Sequence, residues 1–162
     1  MSSEEMINLG DIIIYLIDAV SHERKLIEQT LLLLLIYLCD WHSCVKYNRR
    51  FTNVQWLVSK YGLADEGLES YVRQHTEMFR SDDVAMTVEC LPTTLPVLSE
   101  FQLAVAKRVV SIYESYAPFG LMTFVMSTYP ILSASSEKLE RIDILTMAQT
   151  YNKLLKQDST SA

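Results

Sequence analysis

The strongest constraint on this chain is a continuous apolar run from Leu31 to Cys39, bounded by Glu28 and Asp40. Its nine residues are too few to cross a bilayer, because a spanning helix takes about twenty apolar residues. A helix that is apolar all round must be covered by other elements on every side. The run therefore predicts a buried central helix, over about 24–47, in a globular core.

The neighbouring segments carry the periodicity of helices that could cover it. Apolar residues three or four positions apart mark one helix face over 8–20. Apolar spacing, capping residues and proline positions together predict further helices at 52–58, 64–74, 99–116, 118–130 and from Ile144 onwards. The fold class expected from these patterns is mainly α, a compact single-domain bundle of about six helices around the central one.

Local signals mark several boundaries. Ser99 and Gln102 have the spacing of a capping box. Gly62 reads as a left-handed helix stop. Pro118 suits the first turn of a helix, and Pro130 reads as its end.

Two further segments complete the expected organisation. Residues 76–91 alternate loosely around a polar turn, which predicts a small β-hairpin. The domain is expected to cover 1–157, and residues 158–162 are expected to form a disordered tail.

Composition and charge bound the compartment and the partners. The chain has 162 residues and a formal charge of −6, so direct binding to a nucleic-acid backbone is not expected. Three cysteines, Cys39, Cys44 and Cys90, in apolar surroundings are typical of a reducing compartment. The acidic start MSSEEM does not resemble a signal peptide. We therefore expect a cytoplasmic protein without membrane association.

No sequence motif points to catalysis or to a cofactor. The nucleophile elbow, the phosphate-binding glycine loop and the zinc-protease helix are all missing from the sequence. Cys39, His42 and Cys44 form the best metal candidate, but their spacing does not match a four-ligand zinc site. Cys44 lies near Lys46 in sequence, which is weak support for a reactive thiol. No catalytic, metal-binding or cofactor-binding residue is assigned.

Asp40 is the most informative polar residue because it interrupts an apolar helix. A buried carboxylate needs a partner or a route to solvent. The favoured interpretation is a hydrogen bond to a backbone amide or an ion pair with Arg49 or Arg50. The alternative interpretation is a contact with a partner protein. Trp41 and Trp56, the two tryptophans of the chain, are expected to lie in the core.

Two clusters of residues resemble a known family. The first comprises LIYLCDW at 35–41, KYNRR at 46–50, Trp56 and KYG at 60–62. The second begins with LSE at 98–100 and ends with STYPI at 127–131. Together they resemble the Panacea domain family, which includes the SocA-like antitoxins of toxin–antitoxin systems. The resemblance covers roughly residues 8–155, and its core positions are Tyr37, Trp41, Trp56, Gly62 and Pro130.

Three positions depart from the family pattern. Leu34, Asn48 and Leu63 stand where the family often has lysine, glycine and proline. If the lysine and the proline belong to a partner surface, that surface differs here. If they are structural, local adjustment is expected to accommodate the changes.

The resemblance implies a non-enzymatic antitoxin that neutralises a cognate toxin by direct protein–protein contact. The residues singled out for that contact are Asp40, Lys46, Arg49, Arg50 and Tyr61. The charge of −6 favours a basic protein partner, since opposite charges accelerate encounter.

Two alternatives remain open. Because the family also occurs in phages and prophages, the protein could bind a host anti-phage defence component and inhibit or trigger it. A small enzyme with a dispersed site at Asp40, His42 and Cys44 is the other alternative. The sequence leaves a homo-oligomer open and does not identify the partner.

Overall fold

The computed structural model describes residues 9–21, 23–92, 94–117 and 119–160. This part of the chain contains seven helices and six strands. The helices are α1 (Leu9–Val20), α2 (Gln29–Tyr47), α3 (Leu68–Gln74), α4 (Glu100–Tyr116), α5 (Gly120–Met126), α6 (Tyr129–Leu132) and α7 (Ile144–Thr160). The strands are β1 (Leu26–Glu28), β2 (Gln55–Ser59), β3 (Gly62–Glu66), β4 (Phe79–Asp82), β5 (Thr87–Cys90) and β6 (Glu140–Ile142).

The six strands form two separate antiparallel sheets of three strands each. One sheet has the order β1-β5-β4, in which Ile27 pairs with Val88 and Ser81 pairs with Val88 from the other side. The other has the order β3-β2-β6, in which Trp56 lies between Asp65 and Ile142. Each sheet therefore combines a hairpin with a short strand from a distant part of the sequence.

The helix α2 forms the centre of the core, as its apolar run predicted. Leu35, Ile36 and Cys39 are fully buried, and the helix packs against α1, α4, α5 and α7. In the described part of the chain, no helix combines the length and the apolar character needed to cross a membrane.

The prediction of a mainly α bundle of six helices is wrong. The structure is a mixed fold with two antiparallel sheets. Strands β1 and β6 have only three residues each, which is too short for an alternating pattern to be recognised in the sequence. The predicted hairpin near 76–91 is present as β4 and β5, and β1 extends it into a sheet.

The largest local error concerns residues 52–66. The predicted helix through Trp56 and Val58 is strand β2, and the first residues of the predicted helix at 64–74 belong to β3. Gly62 does not stop a helix: it is the first residue of β3 and pairs with Ser59. Strand pairing between these two segments stabilises the extended conformation, and α3 begins only at Leu68.

Other boundaries differ less. The central helix begins at Gln29, because the preceding residues form β1. Pro130 does not end a helix but lies in the first turn of α6, where its missing N–H is tolerated. The helix α7 continues past Asp158 to Thr160, where the sequence predicted a disordered tail.

The predictions for α1 and for the start of α4 are confirmed. α1 buries the face that its periodicity predicted, including Ile13 and Ile17. At α4 the Ser99 hydroxyl accepts the Gln102 N–H at 3.2 Å, and the Gln102 side chain accepts the Ser99 N–H at 2.9 Å. The prediction for Pro118, the start at residue 8 and the remaining tail residues 161–162 lie outside the described residues.

Candidate functional site

The buried Asp40 carboxylate joins α2 to the loop and strand that follow it. Its Oδ1 accepts the backbone N–H groups of Phe51 at 3.0 Å and Thr52 at 2.7 Å. Its Oδ2 accepts the Thr52 hydroxyl at 2.7 Å and the Trp56 indole N–H at 2.8 Å. Arg50 lies 3.3 Å from the same oxygen. Asp40 is completely inaccessible to solvent, so its hydrogen-bonding capacity is used inside the fold.

The surroundings of Asp40 act on its pKa in opposite directions. Burial is the largest influence and leaves the pKa of the carboxyl above its ordinary value, although Arg50 and the donors of Thr52 and Trp56 offset part of the rise. Since all these groups donate, the ionised carboxylate satisfies them, whereas a protonated one would add a further donor to a site that already holds five. The arrangement thus fits a structural charge. The predicted backbone hydrogen bonds and the Arg50 ion pair are both confirmed.

A left-handed residue at the end of α2 directs the chain back over Asp40. Asn48 adopts φ 53° and ψ 38°, and its N–H donates to the Cys44 carbonyl at 3.1 Å. Its side-chain oxygen accepts the Gln149 amide at 3.0 Å, which ties the turn to α7. Asparagine is the residue after glycine that most readily adopts this conformation. The turn therefore accommodates Asn48 where the resemblance expects glycine.

Tyr37 and Trp56 connect α2 to both the second sheet and α6. Their rings meet edge to face with centroids 5.3 Å apart. The Tyr37 hydroxyl lies 2.7 Å from the Thr128 hydroxyl, which donates to the Val125 carbonyl at 2.7 Å. Trp56 is fully buried, as predicted, while Trp41 is half-buried against Tyr151. These motif residues have structural roles in the core.

The cysteines are poorly suited to nucleophilic chemistry. All three are free and buried. Burial, together with the Asp40 charge, raises the pKa of the Cys44 thiol to about 12 and also raises that of Cys39. A thiol needs a lowered pKa and access to substrate to react. Among the described residues, no group of three or more His, Cys, Asp or Glu side chains could hold a metal ion.

The residues predicted to contact a partner separate into three places. Asp40 is buried. Arg50 forms an ion pair with Asp40 and donates a hydrogen bond to the Val54 carbonyl, and 30% of the Arg50 side chain is exposed. Tyr61 is 68% exposed at the turn between β2 and β3, below the Lys60 ammonium. Lys46 and Arg49 are exposed at the end of α2. Lys46 lies near a further exposed cation, Arg108, because both act on the His42 imidazole.

The surface around these cations, called here the cationic face, consists of Lys46, Tyr47, Arg49, Phe101 and Arg108. The Arg49 guanidinium lies 3.8 Å from the centre of the Phe101 ring. Tyr47 meets the same ring edge to face at 5.2 Å. Phe101 and Arg108 lie seven residues apart, about two turns, on α4 and therefore project from nearly the same side. The face is thus formed by the end of α2 and one side of α4.

His42 lies beside the cationic face, and the charges of the face affect its pKa. Burial, Lys46 and Arg108 lower the pKa of the His42 imidazole, in that order. No carboxylate of the described residues lies within 4.0 Å of the side-chain nitrogens of Lys46, Arg49 or Arg108. No direct ion pair within the described part of the chain therefore holds these three cations.

An apolar groove forms a second open surface. It has a volume of about 430 Å³ and lies where α1, β1, α2, α4 and α5 meet. Val20, Leu26, Leu31 and Met122 contribute to its walls, and among the described residues Glu28 is the single charged one lining it. The groove offers contact area with little charge selectivity.

Two of the five residues of the cationic face were identified from the sequence. Lys46 and Arg49 were singled out for partner contact, and no such role was assigned to Tyr47, Phe101 or Arg108. The contact between α2 and α4 brings these residues together, and no local pattern encodes that contact. The seven-residue spacing of Phe101 and Arg108 is the one sequence signal that could have indicated it.

Comparison of the chain with protein-family profiles, curated proteins and solved structures found no match.

Proposed function

We propose that this protein is a non-enzymatic protein-binding module that neutralises a toxin by direct contact. The observation that carries the proposal is the division between buried and exposed polar groups. Asp40 and Cys44, the chemically most promising residues, are enclosed in the core. Lys46, Arg49 and Arg108 are exposed and lack carboxylate partners among the described residues.

The choice of a toxin as the protein partner is supported by the sequence resemblance. Residues 34–62 and 98–131 resemble the Panacea domain family, in which toxin neutralisation is the characteristic role. The proposed site of action is the cytoplasm. Three free, buried cysteines support it, since unpaired thiols persist in reducing compartments.

Co-expression with the product of the neighbouring gene tests the proposal. The neighbouring product alone should stop growth, and co-expression should restore growth through a complex that survives purification. The variant Cys44→Ala should restore growth as well as the unmodified protein does, provided that its thermal melt shows it is folded. A neighbouring product that is harmless alone, or still toxic in the presence of this protein, would refute the proposal.

A further inference from the structure

We propose that the cationic face binds a short acidic segment of the protein partner. This inference rests on the proposed protein-binding function and specifies the chemistry of the contact. Lys46, Arg49 and Arg108 are exposed and have no carboxylate of the described residues within 4.0 Å. Carboxylates of a partner would supply the ion pairs and hydrogen bonds that these three cations lack.

The Arg49 guanidinium is already held in position for such a contact. It stacks 3.8 Å from the centre of the Phe101 ring, and Tyr47 and Phe51 pack around that ring at 5.2 and 5.9 Å. The ring covers one face of the planar guanidinium and leaves its N–H donors, which point outward within the plane, available for bidentate binding to a carboxylate. Less side-chain freedom is then lost when a partner binds.

The dimensions of the face set the length of the segment. Phe101 and Arg108 are about 10 Å apart along α4, at 1.5 Å per residue. An extended peptide covers that distance in about three residues, at roughly 3.3 Å per residue. A segment with two or three carboxylates can therefore meet the cations of α2 and α4 together.

The same charges argue against a nucleic acid as the ligand. Nucleic-acid binding proteins commonly neutralise about six to ten phosphates, whereas this face supplies three unpaired cations. The whole chain carries a charge of −6, so everything outside the face is more acidic still and repels a long polyanion. A short acidic segment avoids that repulsion because it ends within the face. A partner with net positive charge can present such a segment locally.

Binding of a fluorescently labelled polyglutamate peptide to the full chain tests the inference. The test variant combines Lys46→Glu, Arg49→Glu and Arg108→Glu. The matched control combines Arg24→Glu, Arg80→Glu and Lys138→Glu, which makes the same change of charge at exposed sites away from the end of α2. Thermal melts of both variants establish that they fold. Labelled polylysine and oligothymidylate serve as probes of opposite charge and of nucleic acid.

We expect polyglutamate to bind the unmodified protein and the control, to bind the test variant at least about tenfold more weakly, and to dissociate as salt is added. Arg49→Lys should lie between, since it keeps the charge and loses the planar stacking. Equal polyglutamate binding to the test variant and the control would overturn the inference. So would tighter binding of oligothymidylate than of polyglutamate.

The co-expression assay separates this inference from the proposed function. If the test variant neutralises the toxin as well as the control does, the binding role of the cationic face is refuted while toxin neutralisation stands. If polyglutamate binding behaves as expected but no toxin is neutralised, the face is supported and the proposed function fails.

Discussion

Asp40 determines the path of the chain after α2. Its two oxygens accept donors from Phe51, Thr52 and Trp56, and Arg50 balances its charge. Removing a carboxylate from water costs free energy, and here several hydrogen-bond donors and one cation offset that cost. The residue thereby fixes the loop between α2 and β2 more tightly than apolar packing alone would.

The substitution Asp40→Asn should destabilise the protein by about 3 kcal/mol or more. The new amide group would face the donors of Thr52 or Trp56, and Arg50 would lose its counter-charge. Urea unfolding measures the change. Asp83→Asn, which affects an exposed ion pair with Arg73, is the control and should change stability by about 0.5 kcal/mol or less. Equal losses in the two variants would contradict the structural role of Asp40.

The buried thiols predict a loss of stability at alkaline pH. Burial raises the pKa of Cys44 from its ordinary value of 9.0 to about 12, so the folded state holds a proton that the unfolded state releases. This contribution to stability is fully present below about pH 9 and is lost as the pH rises towards 12. Urea unfolding at several alkaline pH values should show a smaller decline for Cys44→Ala than for the unmodified protein. Identical declines would exclude this role for Cys44.

At the scale of elements, the turn between β2 and β3 explains the main error of sequence reading. The turn consists of Lys60 and Tyr61, which do not form the Asn-Gly or Asp-Gly pair typical of tight hairpins. Neither residue has a positive φ. The apolar stretch around Trp56 fits a helix and a strand equally well, and pairing with β3 and β6 decides between them.

Two glycines distinguish the observed hairpin from the predicted helix stop. Gly67 has a φ of +108° at the start of α3, so Gly67→Ala should cost about 1–2 kcal/mol. Gly62 has no positive φ and no atom within 4 Å of an added Cβ. Gly62→Ala should therefore be neutral or stabilise by up to about 1 kcal/mol. Urea unfolding of both variants is the measurement, and a comparable loss for Gly62→Ala would favour the left-handed stop instead.

Features that depend on residues close together in the sequence could be predicted, whereas features that depend on contacts between distant segments could not. Periodicity and a capping box depend on residues within one turn or two, so α1 and the start of α4 were found. The need to satisfy Asp40 was also evident, and Arg50 was a nearby candidate. Its bonds to Thr52 and Trp56 depend on the path of a loop, and the cationic face depends on the packing of α2 against α4. Neither has a local signature.

At the scale of the whole molecule, charge is distributed unevenly. The chain is acidic overall, and several of its cations are already paired, including Arg73 with Glu69 and Asp83, and Arg141 with Glu66. The cationic face stands apart because the packing of α2 against α4 brings Lys46 and Arg49 to the same surface as Arg108, with Arg49 lying over the Phe101 ring. Long-range attraction of a basic partner and short-range binding of an acidic segment then act on different parts of one surface.

Neutralisation by binding requires an equivalent of the protein for each toxin molecule, whereas neutralisation by turnover does not, so a titration distinguishes the two. A fixed amount of the neighbouring gene's product is titrated with the purified protein, and the remaining toxic activity is measured. Binding predicts that activity falls in proportion to the protein added and disappears near an equimolar ratio. Complete neutralisation by a small fraction of an equivalent would indicate an enzyme, and undiminished activity at excess would show that no neutralising complex forms; either result would contradict the account.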